Sequence, residues 1–277
     1  RSDGTVIKGG GQVVKNVAGY DLPKLYCGSF GTLGVIVEST FMVRPRPEFR
    51  ATFALGCSSV EGASAMALEL TGSNLQPFFV EVANFFPGGP GFGETEKDSH
   101  YVYVGFAGIE EEVSYQREGL QNMASEHDCV LQEQSCDESD GLALCLQNFS
   151  ASGSPVLRCK VSLKPAEVGK FCAELESYSK VRDAPVRILA HAGIGVIHCA
   201  FEHNPGGDEQ ILALVDWIRV QATQTQGYVV IEQIAPALKQ RADVWGGVGK
   251  AFPLMKRLKD TFDPKGILNP GRFVGGL

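Results

Sequence analysis

Two stretches of this chain repeat one order of elements, and that repeat constrains the fold more than any single motif. A strand near 50–56 precedes a helix over 60–71, where Ala63, Met66, Ala67 and Leu70 recur at helical spacing. Strands near 77–83 and 101–106 and a helix over 110–125 follow. The order then starts again: a strand at 155–162, a helix over 165–178 with Val168, Phe171, Cys172 and Leu175 on one face, strands at 186–190 and 194–202, a helix over 208–224 and a strand at 227–232. Two successive strand-helix-strand-strand-helix units predict an α+β fold, a ferredoxin-like antiparallel sheet with helices on one face. Residues 84–94, with a Pro-Gly-Gly-Pro-Gly run, read as a loop.

The repeat is flanked by segments of different character. Residues 5–47 carry a short strand at Val13 and Val14, a glycine-rich turn region and a β-rich run over 33–43. Arg44-Pro45-Arg46-Pro47 closes them, and two prolines there make a natural hinge. After the repeat, 247–262 reads as an amphipathic helix stopped by Asp263-Pro264-Lys265-Gly266. With 277 residues, 44% of them hydrophobic, the chain has material for a large core. A net charge of -7 offers no field for nucleic acid or anionic lipid. No apolar run reaches the ~18 residues of a membrane span, so the chain reads as cytoplasmic, with no direct membrane insertion. Its 8 cysteines contain no Cys-x-x-Cys pair and read as ordinary thiols.

The segment richest in chemistry runs from Gly9 to Leu25 and on through Gly28-Ser29-Phe30-Gly31-Thr32-Leu33-Gly34-Val35-Ile36. Glycines three apart let a backbone approach a phosphate or a heteroaromatic edge. By itself the pattern is that of an ordinary turn. A Rossmann site is excluded, because its glycines follow a strand and open a helix, and a Walker lysine is missing.

The run 10–47 resembles the second half of the FAD domain in the vanillyl-alcohol-oxidase, or PCMH-type, flavoproteins. There Gly-Tyr-Asp-Leu precedes Gly-Ser-x-Gly-Thr-Leu-Gly, as Gly19-Tyr20-Asp21-Leu22 precedes Gly28 here. Val13-Val14-Lys15-Asn16-Val17-Ala18 resembles the E subunits of bacterial glycolate oxidases. Phe262-Asp263-Pro264-Lys265-Gly266-Ile267-Leu268-Asn269-Pro270-Gly271-Arg272-Phe273 resembles the C-terminal signature of the same oxidases. The resemblance implies residues 1–47 as the second part of the flavin domain, 48–245 as a cap and substrate domain, and 246–277 as a tail returning to the flavin domain. The first part of the flavin domain is expected upstream, since the chain starts abruptly without Met.

Carried over by position, the resemblance implies FAD contacts at Asn16, Gly19, Tyr20, Asp21, Gly28, Ser29, Gly31, Thr32, Gly34, Val35 and Ile36, with Asn269 near the flavin ring. For Tyr20 an amphipathic core position stands as the alternative, and for Asn269 a local turn cap. His191-Ala192-Gly193-Ile194-Gly195-Val196-Ile197-His198 is similar to the His-x-Gly-Asp-Gly-Asn-x-His segment of D-lactate and D-2-hydroxyglutarate dehydrogenases, whose histidines help bind a metal. Ile194 and Val196 replace the polar positions, and Glu232-Gln233 stands where those enzymes have Glu-His. His191, His198 and Glu232 are therefore weak metal candidates, with the histidines as relics of an ancestral site the favoured alternative. The odd spacing of the histidines requires the Gly193–Gly195 turn if they are to act together.

The resemblance implies an FAD-dependent 2-hydroxy-acid oxidoreductase: an accessory FAD-binding subunit of a glycolate oxidase complex that forms glyoxylate. Its expected partners are a catalytic flavoprotein subunit and an iron-sulfur subunit. The alternatives are a self-sufficient D-2-hydroxy-acid dehydrogenase and a flavin-free assembly module.

Overall fold

The computed structural model describes residues 1–11, 19–86, 100–127 and 129–277. Two compact units divide the chain: Arg1–Pro45 with Trp245–Leu277, and Arg46–Val244. The expected strand at Val13 and Val14, candidate Asn16 and most of the predicted 84–94 loop lie outside the described residues.

In chain order the elements are α1 (Leu22–Tyr26), β1 (Phe49–Cys57), α2 (Val60–Gly72), β2 (Phe79–Ala83), β3 (His100–Gly108), α3 (Glu110–Glu126), β4 (Val130–Gln134), α4 (Cys136–Asn148), β5 (Leu157–Ser162), α5 (Val168–Val181), β6 (Val186–His191), β7 (Val196–Phe201), α6 (Asp208–Gln224), β8 (Tyr228–Ile234), α7 (Pro236–Lys239) and α8 (Phe252–Phe262).

The larger unit is one 8-stranded sheet in the order β4-β1-β3-β2-β6-β7-β5-β8. Every pairing is antiparallel. The order is that of one four-stranded unit and its mirror, joined at β2 and β6, so the repeat in the sequence is a repeat in space. The joint has only two register pairs, Val82↔Ala190 and Ala83↔Leu189. Asn84 prolongs it: its side-chain amide donates to Val186 O at 3.0 Å, and its Oδ1 accepts from Ile188 N at 2.8 Å. On the helical side α2 and α5 meet through Gly169, where a Cβ would lie 3.0 Å from Ser64 Cβ and 3.2 Å from Glu61 Cα.

Alternation places Ala51, Phe53 and Leu55 of β1 in the core beneath the helices. Ala54 faces the other way, with Ala83, Tyr103, Leu189 and Ala200, and there Leu142, Leu146 and Phe149 cover it. That second face is closed by α4, which the sequence reading left unassigned along with β4. Burial on both faces makes the inner strands read as nearly continuous apolar runs. The helices start where capping chemistry permits: Ser59 Oγ accepts from Gly62 N at 3.1 Å ahead of α2, and Asp208 and Glu209 occupy the positive end of α6.

The smaller unit departs from expectation. Residues 33–43 form no strand. Their β-branched side chains suit a sheet, but a strand exists only when a neighbour completes its hydrogen-bond ladder, and no described residue does so here. The tail helix is also shorter than the predicted 247–262, starting at Phe252 ahead of Pro253.

No described helix is long and apolar enough to cross a membrane.

Candidate functional site

In the smaller unit Asp21 caps α1, its Oδ1 accepting from Lys24 N at 3.3 Å. The chain then winds through tight turns: Ser29 N donates to Tyr26 O at 3.1 Å and Thr32 N to Ser29 O at 3.0 Å. Gly28, Phe30 and Gly31 all take positive φ, at 78°, 54° and 70°.

The C-terminal segment clasps this turn. Lys259, only 7% exposed, donates from Nζ to Thr32 O at 2.9 Å, Leu268 O at 2.8 Å and Asp263 Oδ2 at 2.6 Å. Asp263 in turn accepts from Ile267 N at 3.2 Å and Leu268 N at 2.8 Å. Burial raises the Asp263 pKa, but the Lys259 ammonium and these two amides outweigh it and hold the carboxyl below its ordinary value. Asn269 Nδ2 donates to Phe30 O at 2.7 Å, and Phe30, Trp245 and Phe273 pack ring against ring. Sequence reasoning missed Lys259. The available signal was its i,i+4 spacing from Asp263 at a helix end, which in most helices marks only a solvated pair.

This geometry sorts the expected FAD contacts into two groups. Ser29 and Thr32 are buried; a Cβ at Gly31 would meet Asn269 Nδ2 at 2.7 Å, and one at Gly34 would meet Tyr26 at 2.6 Å. Ser29, Gly31, Thr32 and Gly34 are filled by the chain's own packing, whereas Asn269 is exposed and tied to Phe30 O. Gly19, Tyr20, Asp21, Gly28, Val35 and Ile36 lie open: Gly19 and Gly28 have nothing near a would-be Cβ, and Tyr20 is 92% exposed. Tyr20 is not a core residue of this unit. Open glycines at positive φ, Gly19 and Gly28, and exposed apolar and aromatic side chains, Tyr20, Val35 and Ile36, have the chemistry to meet a phosphate and a planar ring, so the residues present suit FAD.

In the larger unit a second cluster forms on the sheet face that α4 covers. β6 and β7 pair Leu189↔His198 and His191↔Val196, so both histidines project from one face despite their odd spacing. The turn over Ala192–Ile194 makes this possible through Gly195, at φ 72°, where a Cβ would sit 2.0 Å from Leu163 O. The two imidazoles meet edge to face with centroids 5.7 Å apart.

Each histidine has its own carboxylate. His191 Nδ1 lies 2.6 Å from Glu81 on β2, and His198 Nδ1 lies 3.2 Å from Glu232 and 3.1 Å from Ser150 Oγ. Burial raises the Glu81 pKa against the opposing pull of His191, and the hydrogen bond to Glu81 raises that of His191. Lys160, opposite His198 in the β5/β7 register, pulls His191 back. Glu81 stands 110 residues from His191, and nothing in the local sequence signals it. Gln233 is structural: it accepts from Arg158 at 3.2 Å and donates to Pro155 O at 3.1 Å.

Both Nδ1 atoms are engaged by carboxylates, and Ile194 and Val196 supply no ligand atoms. Among the described residues no group of three His, Cys, Asp or Glu side chains is placed to hold a metal ion. The cluster consists of two histidine-carboxylate pairs with Lys160 beside them.

Comparison with known proteins shows what the chain is similar to. The glycolate oxidase subunit GlcD of Bacillus subtilis (strain 168) is 25% identical over 295 residues, spanning 98% of this chain and 61% of that protein. The glycolate oxidase subunit GlcE of Escherichia coli (strain K12) is 44% identical, but over 64 residues, 23% of this chain and 18% of that protein. The chain thus spans less than two thirds of either relative. The E-subunit resemblance is confined to a short segment, whereas the likeness to the D subunit runs the length of the chain. Among solved structures, an alkyldihydroxyacetonephosphate synthase superposes with a TM-score of 0.60 at 16% identity, covering 94% of this chain and 52% of that one, which shows a shared fold. Residues 245–273, the segment that clasps the glycine turn, match the family of FAD linked oxidases, C-terminal domain.

Proposed function

We propose that this chain is part of an FAD-dependent oxidoreductase acting on small 2-hydroxy acids, and that it serves as the FAD-binding subunit of a glycolate oxidase complex yielding glyoxylate. The observation that carries this reading is the clasp. The segment matching FAD linked oxidases holds the glycine turn through Lys259, leaving Gly19, Tyr20, Gly28, Val35 and Ile36 open. Those open residues would hold the cofactor, which when bound accepts a hydride from the α-carbon of the substrate. In this reading a catalytic flavoprotein subunit and an iron-sulfur subunit complete the complex.

A second reading, a subunit that performs the oxidation itself, is favoured by the Glu81–His191 pair. With Gln233 unable to titrate, His191 is the group suited to take the hydroxyl proton: Glu81 fixes its Nδ1 at 2.6 Å and favours its protonated form. Lys160 provides a cation nearby for the substrate carboxylate.

The deciding test uses the protein from its natural reading frame, alone and with its partner subunits. Flavin absorbance is followed after gel filtration with FAD and then during anaerobic addition of glycolate or D-lactate. Retained flavin that bleaches only with partners present supports the accessory subunit. Bleaching in the chain alone supports the second reading, and this should vanish in His191→Asn. A folded protein that retains no flavin defeats both and makes the chain an assembly module.

A further inference from the structure

Cys57 ends β1, and Cys129 stands just ahead of β4, one position beyond the paired Gly56 and Val130. The two cysteines are therefore cross-strand neighbours at the sheet's edge, and their sulfurs lie 2.8 Å apart as free thiols. Cys57 is buried and Cys129 is half-buried, so one member of the pair is open to a reagent and the other lies directly behind it. We infer that Cys57 and Cys129 form a modification site, a dithiol that closes to a disulfide by exchange with a low-molecular-weight disulfide.

The exchange balances in two displacements. The Cys129 thiolate attacks one sulfur of the small disulfide, forming a mixed disulfide and expelling one thiol. The Cys57 thiolate then attacks the Cys129 sulfur, closing the Cys57–Cys129 bond and expelling the second thiol. Two protein thiols are oxidised, one small disulfide is reduced to two thiols, and the two cysteine protons end on those thiols. Burial pushes the Cys57 thiol up, which makes it the resolving rather than the attacking group and makes closure faster in alkaline buffer.

The chain contains its own control. Cys159 and Cys199 also face each other, across β5 and β7, but both are fully buried. No reagent reaches them while the sheet is intact, so they stay reduced. The edge pair differs in access, and closing it would pin edge strand β4, and through it the start of α4, to β1.

The test treats reduced protein with oxidised glutathione in mildly alkaline buffer, alkylates the remaining thiols and maps peptides by mass spectrometry. The expected result is a linked Cys57–Cys129 peptide, with Cys159 and Cys199 alkylated only after unfolding. A dithiothreitol-reversible rise in Tm of about 5–15 °C should accompany it, the range for closing a long loop. Cys129→Ser, at the more exposed position, should abolish both signals; if Cys57→Ser does not fold, that variant alone decides. Alkylated Cys57 beside glutathionylated Cys129 would overturn the inference, as would both cysteines remaining alkylatable.

Discussion

The strands of the sheet and residues 33–43 are built from the same kinds of side chain, yet one set is a sheet and the other is not. In β1 the Phe49–Cys57 run pairs with β3 on one side and β4 on the other, and most of its residues are buried. In the smaller unit Val35, Val37, Phe41 and Val43 are 69%, 78%, 82% and 85% exposed, with no ladder. β propensity describes how well a side chain suits a pleated, half-buried surface, and the surface has to be supplied by other strands. Order in the smaller unit rests on something else: a lysine ammonium holding carbonyls, and three aromatic rings.

The largest expected effect tests that contrast directly. Hydrogen exchange should be slower in β1, β3, β5 and β7 than in 33–43 by at least about 10³-fold, the range set by global unfolding. Protection of 33–43 in the chain alone would break the comparison, whereas protection that appears only with a partner subunit would sharpen it.

Next in size is Gly195→Ala. A Cβ there meets Leu163 O at 2.0 Å on a backbone with φ 72°, so a loss of about 3–5 kcal/mol is expected in denaturant unfolding. Gly56→Ala, at a position with nothing near a would-be Cβ, should change stability little. Equal effects would show that the turn is not what holds the two histidines together.

Lys259→Met should act on the smaller unit alone. It leaves Asp263 and the Thr32 and Leu268 carbonyls without their donor, so limited proteolysis should cut near 26–34 while the sheet's unfolding midpoint stays in place. The wild-type clasp should also depend on pH. The folded pKa of Asp263 is depressed, so its contribution is present above the ordinary value of 3.8 and is lost as pH falls through the lower folded value. Cutting at 26–34 that is unchanged in the variant would remove the clasp from the account.

The smallest effect belongs to Glu81→Gln. Because the ladder holds the sheet, the change should leave the fold intact while the His191 pKa falls toward its ordinary 6.5, as read by NMR of the ring. A raised folded value means that the wild-type pair stabilises below pH 6.5 and loses this as pH rises through the folded pKa of His191. An unmoved titration would mean that Glu81 is not its partner.

The larger unit was the more legible in the amino-acid sequence. The helix expected at 208–224 matches α6 at Asp208–Gln224, and the twofold order of elements was visible because helical spacing and strand alternation are local properties. The segments that escaped were short or polar: β4, Val-Leu-Gln-Glu-Gln at an edge, has little burial to generate a pattern, and α4 follows it at once. For the candidate site, His191, His198 and Glu232 were recognisable, but Glu81 was not. Gln233, at the position where the resemblance has a histidine, is a bracket between Arg158 and Pro155 that only the structure reveals.

From the sequence by itself came the repeat, the glycine turn and the C-terminal signature, because each is written in residues close enough to constrain one another's backbone. Tertiary structure alone decided that the two repeats join at β2 and β6, that Glu81 meets His191 across 110 residues, and that Lys259 closes on Thr32 across 227. Such contacts depend on which elements come to lie side by side, and the entropy of closing those long loops is offset by the buried core in the larger unit and by the hydrogen bonds of Lys259 and the ring packing in the smaller.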